Sequence, residues 1–169
     1  MRVIIRDLMA LASTGQQPTG PVDLQEVLDR SVKLAWNQIE PRARLVQAIP
    51  PLPAVEGNDV RLVQVFVNLL VNAAQAIPEG EVERNTIGVR AAREPDGRVA
   101  VEISDTGSGI EPQHLSRLFE PFFTTKAPGA GTGLGLAVSH GIVTALGGEL
   151  TVETAVGRGS TFRVRLPAA

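Results

Sequence analysis

Gly129-Ala130-Gly131-Thr132-Gly133-Leu134-Gly135-Leu136 places a glycine at every second position of one short stretch. Glycine has no Cβ, so it reaches positive φ at little cost and lets the backbone approach a ligand closely. The run leads directly into the mostly apolar segment 136–143, which predicts a helix whose first N–H groups and positive dipole end face an anion. The stretch therefore predicts a phosphate-binding turn at a helix N-terminus.

A second glycine cluster, Asp105-Thr106-Gly107-Ser108-Gly109, follows a predicted strand at 99–104. One such cluster is compatible with an ordinary turn, whereas two at this spacing favour a nucleotide pocket. The Asp105 carboxylate stands beside little side-chain bulk and only accepts hydrogen bonds, so it could receive the exocyclic amine of adenine. The alternative is an Asx turn that organises the loop.

The longest predicted helix, 60–77, is capped by Asn58 or Asp59 and carries polar side chains along one stripe. These side chains, spaced by three or four residues and therefore neighbours on the helix surface, are Gln64, Asn68, Asn72 and Gln75. A solvated helix edge usually carries Lys and Glu, whereas asparagine is a poor helix former that offers a neutral amide oxygen. Such an oxygen suits Mg²⁺ held mainly by phosphates and water, and Asn72 is the better candidate ligand.

The segment Phe119-Glu120-Pro121-Phe122-Phe123-Thr124-Thr125-Lys126 contains three of the five phenylalanines. Aromatic residues in a segment rich in helix breakers predict a flap anchored by hydrophobic packing, or simply a loop that fills the core. Lys126 lies within reach of the phosphate-binding turn and could screen phosphate charge. For a lone lysine, simple exposure to solvent is the alternative.

Composition narrows the class of protein. With 169 residues and 43% hydrophobic content, the chain can form one domain with a real core. A net charge of −2 gives no general attraction to nucleic acid or to anionic membranes. The absence of cysteine excludes disulfides and thiolate chemistry, and no apolar run predicts a membrane span or a secretory signal. We expect a cytoplasmic location.

The order of elements predicts the fold class. Besides 60–77, helices are expected from 24 to 39 with Asp23 as cap, at 112–119 and at 133–146. Strands are expected at 45–49, 86–92, 99–104, 149–154 and 160–166. The sum is an α+β two-layer sandwich with a mixed, mostly antiparallel sheet and helices on one face.

Three segments are expected along the chain. Residues 1–12 have helical spacing with an apolar face formed by Ile4, Leu8 and Leu11, residues 13–21 read as a linker, and residues 22–169 form the main domain.

Taken together, these blocks resemble the ATP-binding catalytic domain of sensor histidine kinases, in the wider family shared with gyrase, Hsp90 and MutL. The resemblance covers about 22–166. The N box of that family resembles Asn68-Leu69-Leu70-Val71-Asn72-Ala73, and the first glycine box resembles 105–109. The F box resembles 119–126, and the second glycine box resembles 131–136. The closing segment resembles Gly157-Arg158-Gly159-Ser160-Thr161-Phe162. The form of the F box is similar to that of the nitrogen-regulation type of sensor kinase.

The resemblance implies a Bergerat-type fold that binds ATP and Mg²⁺ beneath a mobile lid of about 120–132. It implies that Asp105 binds the adenine amine with Thr161 nearby, that Asn72 coordinates Mg²⁺, and that the second glycine box holds the phosphates. The residues expected at the nucleotide are Asn68, Asn72, Gln75, Asp105, Gly107, Gly109, Ile110, Lys126, Gly131, Thr132, Gly133, Leu134, Gly135, Leu136 and Thr161. Of these, Asn68, Asn72 and Lys126 are expected to act in the transfer step.

The reaction is indicated by Asn68. ATP-hydrolysing relatives have a glutamate one turn before the Mg²⁺-binding asparagine, and that glutamate activates water. An amide cannot act as a general base near neutral pH, so transfer of the γ-phosphoryl group to a protein nucleophile is favoured over hydrolysis. Two alternatives stay open: an ATPase or serine-directed anti-sigma kinase of the same superfamily, and a non-catalytic nucleotide-sensing module.

The chain has two histidines, and neither fits a phosphoacceptor. The surroundings of His140 imitate the acceptor motif, but Gly141 and Ala145 replace its acidic residue and its proline. His114 matches nothing, so both are expected to be structural or surface residues. The expected partners are a phosphoacceptor and dimerisation domain of the same kinase and a response regulator, with no nucleic acid and no membrane contact. Residues 1–12 resemble the end of the second helix of that phosphoacceptor and dimerisation domain. The isolated chain is therefore expected to be a monomer, or to associate weakly through the face of Ile4, Leu8 and Leu11, and the full-length kinase is expected to be a homodimer.

Overall fold

A computed structural model of the chain describes residues 17–169. The elements in chain order are β1 (Gly20–Val22), α1 (Leu24–Ile39), β2 (Arg44–Ala48), β3 (Val55–Gly57), α2 (Asp59–Gln75), β4 (Thr86–Arg93), β5 (Val99–Asp105), α3 (Pro112–Leu115), α4 (Gly135–Ala145), β6 (Glu149–Ala155) and β7 (Gly159–Leu166), with a 3-10 turn at Val82–Arg84.

One five-stranded sheet forms the first layer, in the order β2-β4-β5-β7-β6. Its pairs are antiparallel except for the outer pair of β2 and β4, which is parallel. Helices α2 and α4 pack on one face of this sheet, and α1 packs against α2. The predicted α+β sandwich with a mixed, mostly antiparallel sheet is therefore confirmed.

Helix α2 is apolar in nearly every direction because it is the central helix of the second layer. It contacts α1 on one side, α4 on the other and strands β4 and β5 beneath. Val65, Phe66, Leu69 and Leu70 are fully buried as a result. A helix surrounded in this way has no broad solvent face, so its polar stripe must point into a gap between elements.

The structure confirms Asp23 as the cap of α1 and decides between Asn58 and Asp59, the two candidate caps of α2. The Gln25 N–H donates to Asp23 Oδ1 at 2.8 Å at the start of α1. The Arg61 N–H donates to Asn58 Oδ1 at 3.1 Å at the start of α2, so Asn58 rather than Asp59 is the cap. Both bonds satisfy N–H groups that a helix leaves without internal partners.

The structure differs from the predicted elements in two places. Gly20 and Pro21, assigned to a linker, pair in β1 with Gly57 and Glu56 of β3. Three-residue strands are too short to show an alternating pattern, so neither was predicted. The helix expected at 112–119 is shorter, because regular helix ends at Leu115 and the chain continues in turns.

The predicted helix at 1–12 and its apolar face lie outside the described residues, and the division of the chain into three segments stays a prediction. In residues 17–169, no helix combines the length and the apolar character needed to cross a membrane.

Candidate functional site

The sequence blocks meet around the C-terminal half of α2. Asn68 Nδ2 donates to the carbonyl of Gly135, at the start of α4, at 3.2 Å. The carbonyl of Ala76, directly after the helix, accepts the Ser108 N–H of the first glycine box at 3.1 Å. On the next exposed position of the stripe, Gln75 Oε1 accepts a hydrogen bond from Lys126 Nζ of the lid segment. One helix end therefore contacts both glycine boxes and the lid.

Asp105 is a buried carboxylate at the end of β5, with 7% of its surface exposed. Burial raises its pKa, and the N–H groups of Gly107 and Ser160 oppose that shift. The Gly107 N–H donates to Oδ1 at 2.8 Å, so the Asx turn weighed as an alternative is formed. A carboxylate can accept about four hydrogen bonds, so this turn leaves acceptor capacity for a ligand.

The structure does not bring Thr161 to Asp105. Thr161 is opposite Ser104 in the register of β5 and β7. Because successive residues of a strand point to opposite faces, Thr161 faces the side of the sheet away from Asp105. Ser160 shares the face of Asp105 and of the core residue Phe162, and it is 7% exposed. Ser160 is therefore the hydroxyl that neighbours the carboxylate, one residue before the one expected.

The first glycine box is held by very close backbone packing. A Cβ added at Gly107 would lie 2.5 Å from the Ala76 carbonyl oxygen. At Gly159, which has φ +99°, an added Cβ would lie 1.9 Å from the carbonyl oxygen of Asp105. Any side chain at either position would push the Asp105 loop away from α2 or from β7, so these glycines set the position of the carboxylate.

Ile110 and Thr154 complete this end of the site. The Ile110 N–H donates to Thr154 Oγ1 at 2.9 Å, so the backbone of Ile110 is bonded to β6. Thr154 and Ser160 were not predicted as site residues. The period of two along a strand would have found Ser160, because it is two residues before the buried Phe162.

The second glycine box forms the entry to α4. Thr132 Oγ1 accepts the Leu134 N–H at 3.2 Å, and the side chain of Leu134 is fully buried. Leu134 can therefore offer only its backbone to a ligand. Helix α4 begins at Gly135 without a side-chain cap, so its first N–H groups have no side-chain partner, and Asn68 of α2 lies beside this helix start.

The lid segment is attached to this turn and to α2. The Phe122 N–H donates to the Gly133 carbonyl at 2.9 Å. A Cβ added at Gly131 would meet Lys126 Cδ at 3.0 Å, which places the lysine stem beside the second glycine box. Lys126 is half-buried rather than freely exposed, and burial lowers its pKa. Its ammonium group is held at the edge of the pocket.

The amide stripe has two different environments. Asn68 donates to Gly135 and also to Ser139 Oγ at 3.3 Å, so its nitrogen is committed to α4. Asn72 is half-buried, and its amide forms no hydrogen bond with the part of the chain that the structure describes. Asn72 therefore has a side-chain amide oxygen that is available to a ligand. Residues 17–169 contain no group of three His, Cys, Asp or Glu side chains that could hold a metal ion.

Both histidines pack against phenylalanines of the F box. The His140 ring stacks on Phe119 with centroids 4.8 Å apart, and the His114 ring lies 5.6 Å from that of Phe123. The Arg117 guanidinium also covers Phe123, at 4.7 Å from the ring centroid. These contacts anchor the start of the lid segment to α4 and to the α3 region.

Known proteins share this sequence and architecture. The family model described as "Histidine kinase-, DNA gyrase B-, and HSP90-like ATPase" matches residues 57–169. The two-component sensor PprA of Pseudomonas aeruginosa is 50% identical over 118 residues, which are 68% of this chain and 13% of that protein. The sensor histidine kinase ZraS of Klebsiella oxytoca is 38% identical over 167 residues, which are 97% of this chain and 35% of that protein. The chain thus spans about a third or less of the length of these curated relatives.

Solved structures give the same result. The mycobacterial sensor histidine kinase MprB superposes with a TM-score of 0.78 at 32% identity, covering 89% of this chain and 98% of that one. Full-length ShkA, solved in complex with AMPPNP, superposes with a TM-score of 0.83 at 28% identity, covering 99% of this chain and 35% of ShkA. The chain belongs to the histidine kinase-, DNA gyrase B- and HSP90-like ATPase family, as the catalytic ATP-binding domain of a sensor histidine kinase.

Proposed function

We propose that this domain binds Mg·ATP and donates the γ-phosphoryl group to a histidine on a phosphoacceptor domain outside this chain. The observation that carries the proposal is the meeting of three features at the end of α2. They are a buried carboxylate, a free amide oxygen and an uncapped helix N-terminus beside a lysine, at Asp105, Asn72, Gly135 and Lys126.

The nucleobase end is assigned to Asp105 and Ser160. A buried carboxylate with spare lone pairs is an unfavourable group until a donor reaches it, and the exocyclic amine of adenine is such a donor. Ser160 takes the place beside the base that was expected for Thr161, because the strand pairing turns Thr161 to the other face. Gly107 and Gly109 allow the close backbone contacts with Ala76 and Ala155 that hold this loop in place.

The phosphate end is assigned to the start of α4 and to Lys126. The first N–H groups of α4 and its positive dipole end favour an anion. Lys126 adds a full positive charge at the lid, where release from Gln75 would free it to meet phosphate. Gln75 then serves as the resting partner of the lysine as well as a neighbour of the nucleotide.

The donor set fits a magnesium ion that is held mainly by its nucleotide. Mg²⁺ usually keeps several waters and takes few protein oxygens in phosphate sites, so one amide oxygen from Asn72 is sufficient. When bound, the ion supplies charge neutralisation at the phosphates. Support also comes from ShkA, a structural relative that was solved with the nucleotide analogue AMPPNP.

Asn68 supports transfer over hydrolysis. Its nitrogen donates to Gly135 and Ser139, so the amide holds the start of α4 in place. Neither amide atom can remove a proton from water near neutral pH. The acceptor nucleophile must therefore arrive from elsewhere, and the packing of His114 and His140 on phenylalanines leaves both rings in structural roles.

The relatives support a wider proposal for the whole kinase. PprA and ZraS are named as a two-component sensor and a sensor histidine kinase. We therefore propose a homodimeric kinase with a phosphoacceptor domain, a response regulator as phosphoryl acceptor and a cytoplasmic catalytic domain that is monomeric in isolation. Membership of the nitrogen-regulation type stays a prediction from the F box.

The test combines this chain with the separately produced acceptor domain of its own kinase and γ-labelled ATP. We expect acid-labile label on the acceptor domain, lost when its histidine is replaced by alanine, and little release of phosphate by the chain alone. Binding of ATP without any label on histidine would contradict the transfer, and rapid steady release of phosphate would instead support an ATPase.

The same assay tests the site. Asp105→Ala should weaken the binding of ATP by about 10-fold to 100-fold, because a hydrogen bond to a charged group contributes roughly 1.5 to 3 kcal/mol. Asp29→Ala, at an exposed carboxylate of α1, is the matched control and should bind ATP normally. A folded Asp105→Ala protein with unchanged affinity would exclude the adenine assignment.

A further inference from the structure

Thr154 joins the two segments that form the nucleobase end of the site. Its Oγ1 accepts the Ile110 N–H at 2.9 Å, directly after the first glycine box. The same oxygen lies 3.1 Å from the Gly159 carbonyl and 2.8 Å from Ser160 Oγ, at the start of β7. We propose that Thr154 is a positioning residue that fixes this end of the pocket and orients the Ser160 hydroxyl for adenine. The inference rests on the proposed ATP binding.

The surrounding backbone shows that these segments are held tightly together. The Gly157 N–H donates to the Ser108 carbonyl at 2.7 Å, so the β6–β7 turn is bonded to the first glycine box. A Cβ added at Gly109 would lie 2.2 Å from the Ala155 carbonyl oxygen. The turn and the glycine box are thus bonded to each other, and the Thr154 side chain joins both to Ser160.

The hydrogen-bond inventory fixes the direction of each bond. A threonine hydroxyl has one proton and two lone pairs. The Ile110 N–H occupies one lone pair, and the Gly159 carbonyl can only accept, so the Thr154 proton goes to Gly159. The hydroxyl of Ser160 must then donate to the second lone pair of Thr154, because the two oxygens are 2.8 Å apart.

This arrangement leaves only hydrogen-bond acceptors among the Asp105 and Ser160 side chains at the nucleobase end. With its proton used by Thr154, Ser160 presents only lone pairs toward the side of the sheet that it shares with Asp105. The Asp105 carboxylate is also an acceptor. An exocyclic amine therefore finds acceptors, whereas a carbonyl oxygen in the same place, as in guanine, would meet like partial charges. Thr154 acts on this choice through Ser160 without touching the base.

The experiment replaces the hydroxyl and keeps the shape, using the full chain. In Thr154→Val the Ile110 N–H loses its partner, and Ser160 is free to rotate and to donate. We expect ATP to bind about 3-fold to 10-fold more weakly, while competition by GTP changes little, so that the preference for ATP narrows. In the transfer assay the KM for ATP should rise with kcat unchanged. Thr154→Ser keeps the hydroxyl and should have the wild-type ATP affinity, preference for ATP over GTP and KM.

Thr151→Val is the matched control, because Thr151 lies on the same strand but faces the other side of the sheet, opposite Arg163. A purely structural role for Thr154 predicts a lower unfolding temperature with unchanged ATP affinity and selectivity, and that result would overturn the proposal. If Thr154→Val fails to fold, Ser160→Ala removes the other partner of the Thr154–Ser160 hydrogen bond. This variant must then show a smaller preference for ATP over GTP. If the wild-type chain does not bind ATP, the proposed function is overturned as well. If wild type binds ATP and the Thr154 and Ser160 variants show the same ATP affinity and the same preference for ATP over GTP, only the role of Thr154 is overturned.

Discussion

Phe122 and Gly133, which both have left-handed backbone conformations, are joined by a backbone hydrogen bond. Both have φ of +69°, and the Phe122 N–H donates to the Gly133 carbonyl at 2.9 Å. Phe122 is the one non-glycine residue with positive φ among residues 17–169, and its side chain is 62% exposed. Such strain persists only where the surrounding structure enforces it, and it is concentrated at functional segments. We therefore expect this bonded pair, at the two ends of the lid segment, to act as the hinge of the lid.

Gly133→Ala tests this hinge. The new Cβ would lie 2.4 Å from the carbonyl carbon of Phe122, and alanine at positive φ costs roughly 1 to 2 kcal/mol. We expect ATP binding, measured by calorimetry, to weaken by up to about 10-fold because the lid loses its attachment. Gly141→Ala in α4 meets no atom within 4 Å and should raise stability by about 0.5 to 1 kcal/mol with normal ATP binding. Equal affinity of the two variants for ATP would contradict a hinge at Gly133.

Lys126→Met keeps the aliphatic stem and removes the charge. If Lys126 meets the phosphates, ATP should bind about 10-fold to 100-fold more weakly, with a smaller loss for ADP. Lys33→Met is the matched control, because Lys33 is the other lysine and is exposed on α1. Equal losses in the two variants, or equal losses for ATP and ADP, would contradict contact with the terminal phosphate.

The same lysine predicts a pH effect. Burial lowers the pKa of Lys126, so its charge is lost at a lower pH than that of an exposed lysine. The wild-type affinity for ATP should therefore fall as pH rises into the alkaline range, and Lys126→Arg should delay that fall because arginine stays protonated. Titration of ATP binding against pH is the measurement.

Asp105→Asn separates stability from function. Burial places the folded-state pKa of Asp105 above its unfolded value, so the folded state binds more protons in that interval and stability falls as pH rises through it. Asparagine has no such titration. Without nucleotide, the unfolding temperature of the variant relative to that of wild type should therefore increase as pH rises above about 4, while the variant binds ATP more weakly. A wild-type protein that gains stability relative to Asp105→Asn over this range would contradict the assignment.

Asn72→Ala tests the metal. With Mg²⁺ present, loss of the amide oxygen should weaken nucleotide binding by about 3-fold to 10-fold and lower phosphoryl transfer, whereas binding measured with a chelator should be nearly equal to wild type. Gln64→Ala, at a half-buried position two turns earlier on the same stripe, should behave as wild type in both conditions. If the nucleotide affinity falls equally with and without Mg²⁺, Asn72 has a structural role and does not bind the metal.

Local patterns in the sequence determined the elements and the chemistry of the domain. The alternation in 99–104, the caps Asp23 and Asn58, and the apolar span of α2 act through contacts between residues close in the chain, so they can be read from the sequence. The glycine boxes and the amide stripe likewise indicated a phosphate turn beside an amide-lined helix. Such features need no knowledge of which strand lies next to which.

Only the tertiary structure decided which side chains meet. The contacts Asn68 to Gly135, Gln75 to Lys126 and Thr154 to Ile110 join residues 67, 51 and 44 positions apart, and no local preference encodes them. The choice of Ser160 over Thr161 depends on the register of β7 against β5, since a shift of one residue turns every side chain to the other face. The sequence by itself thus determined that this domain has a carboxylate, an amide stripe and a glycine-rich helix entry, and packing determined which hydroxyl stands beside the carboxylate.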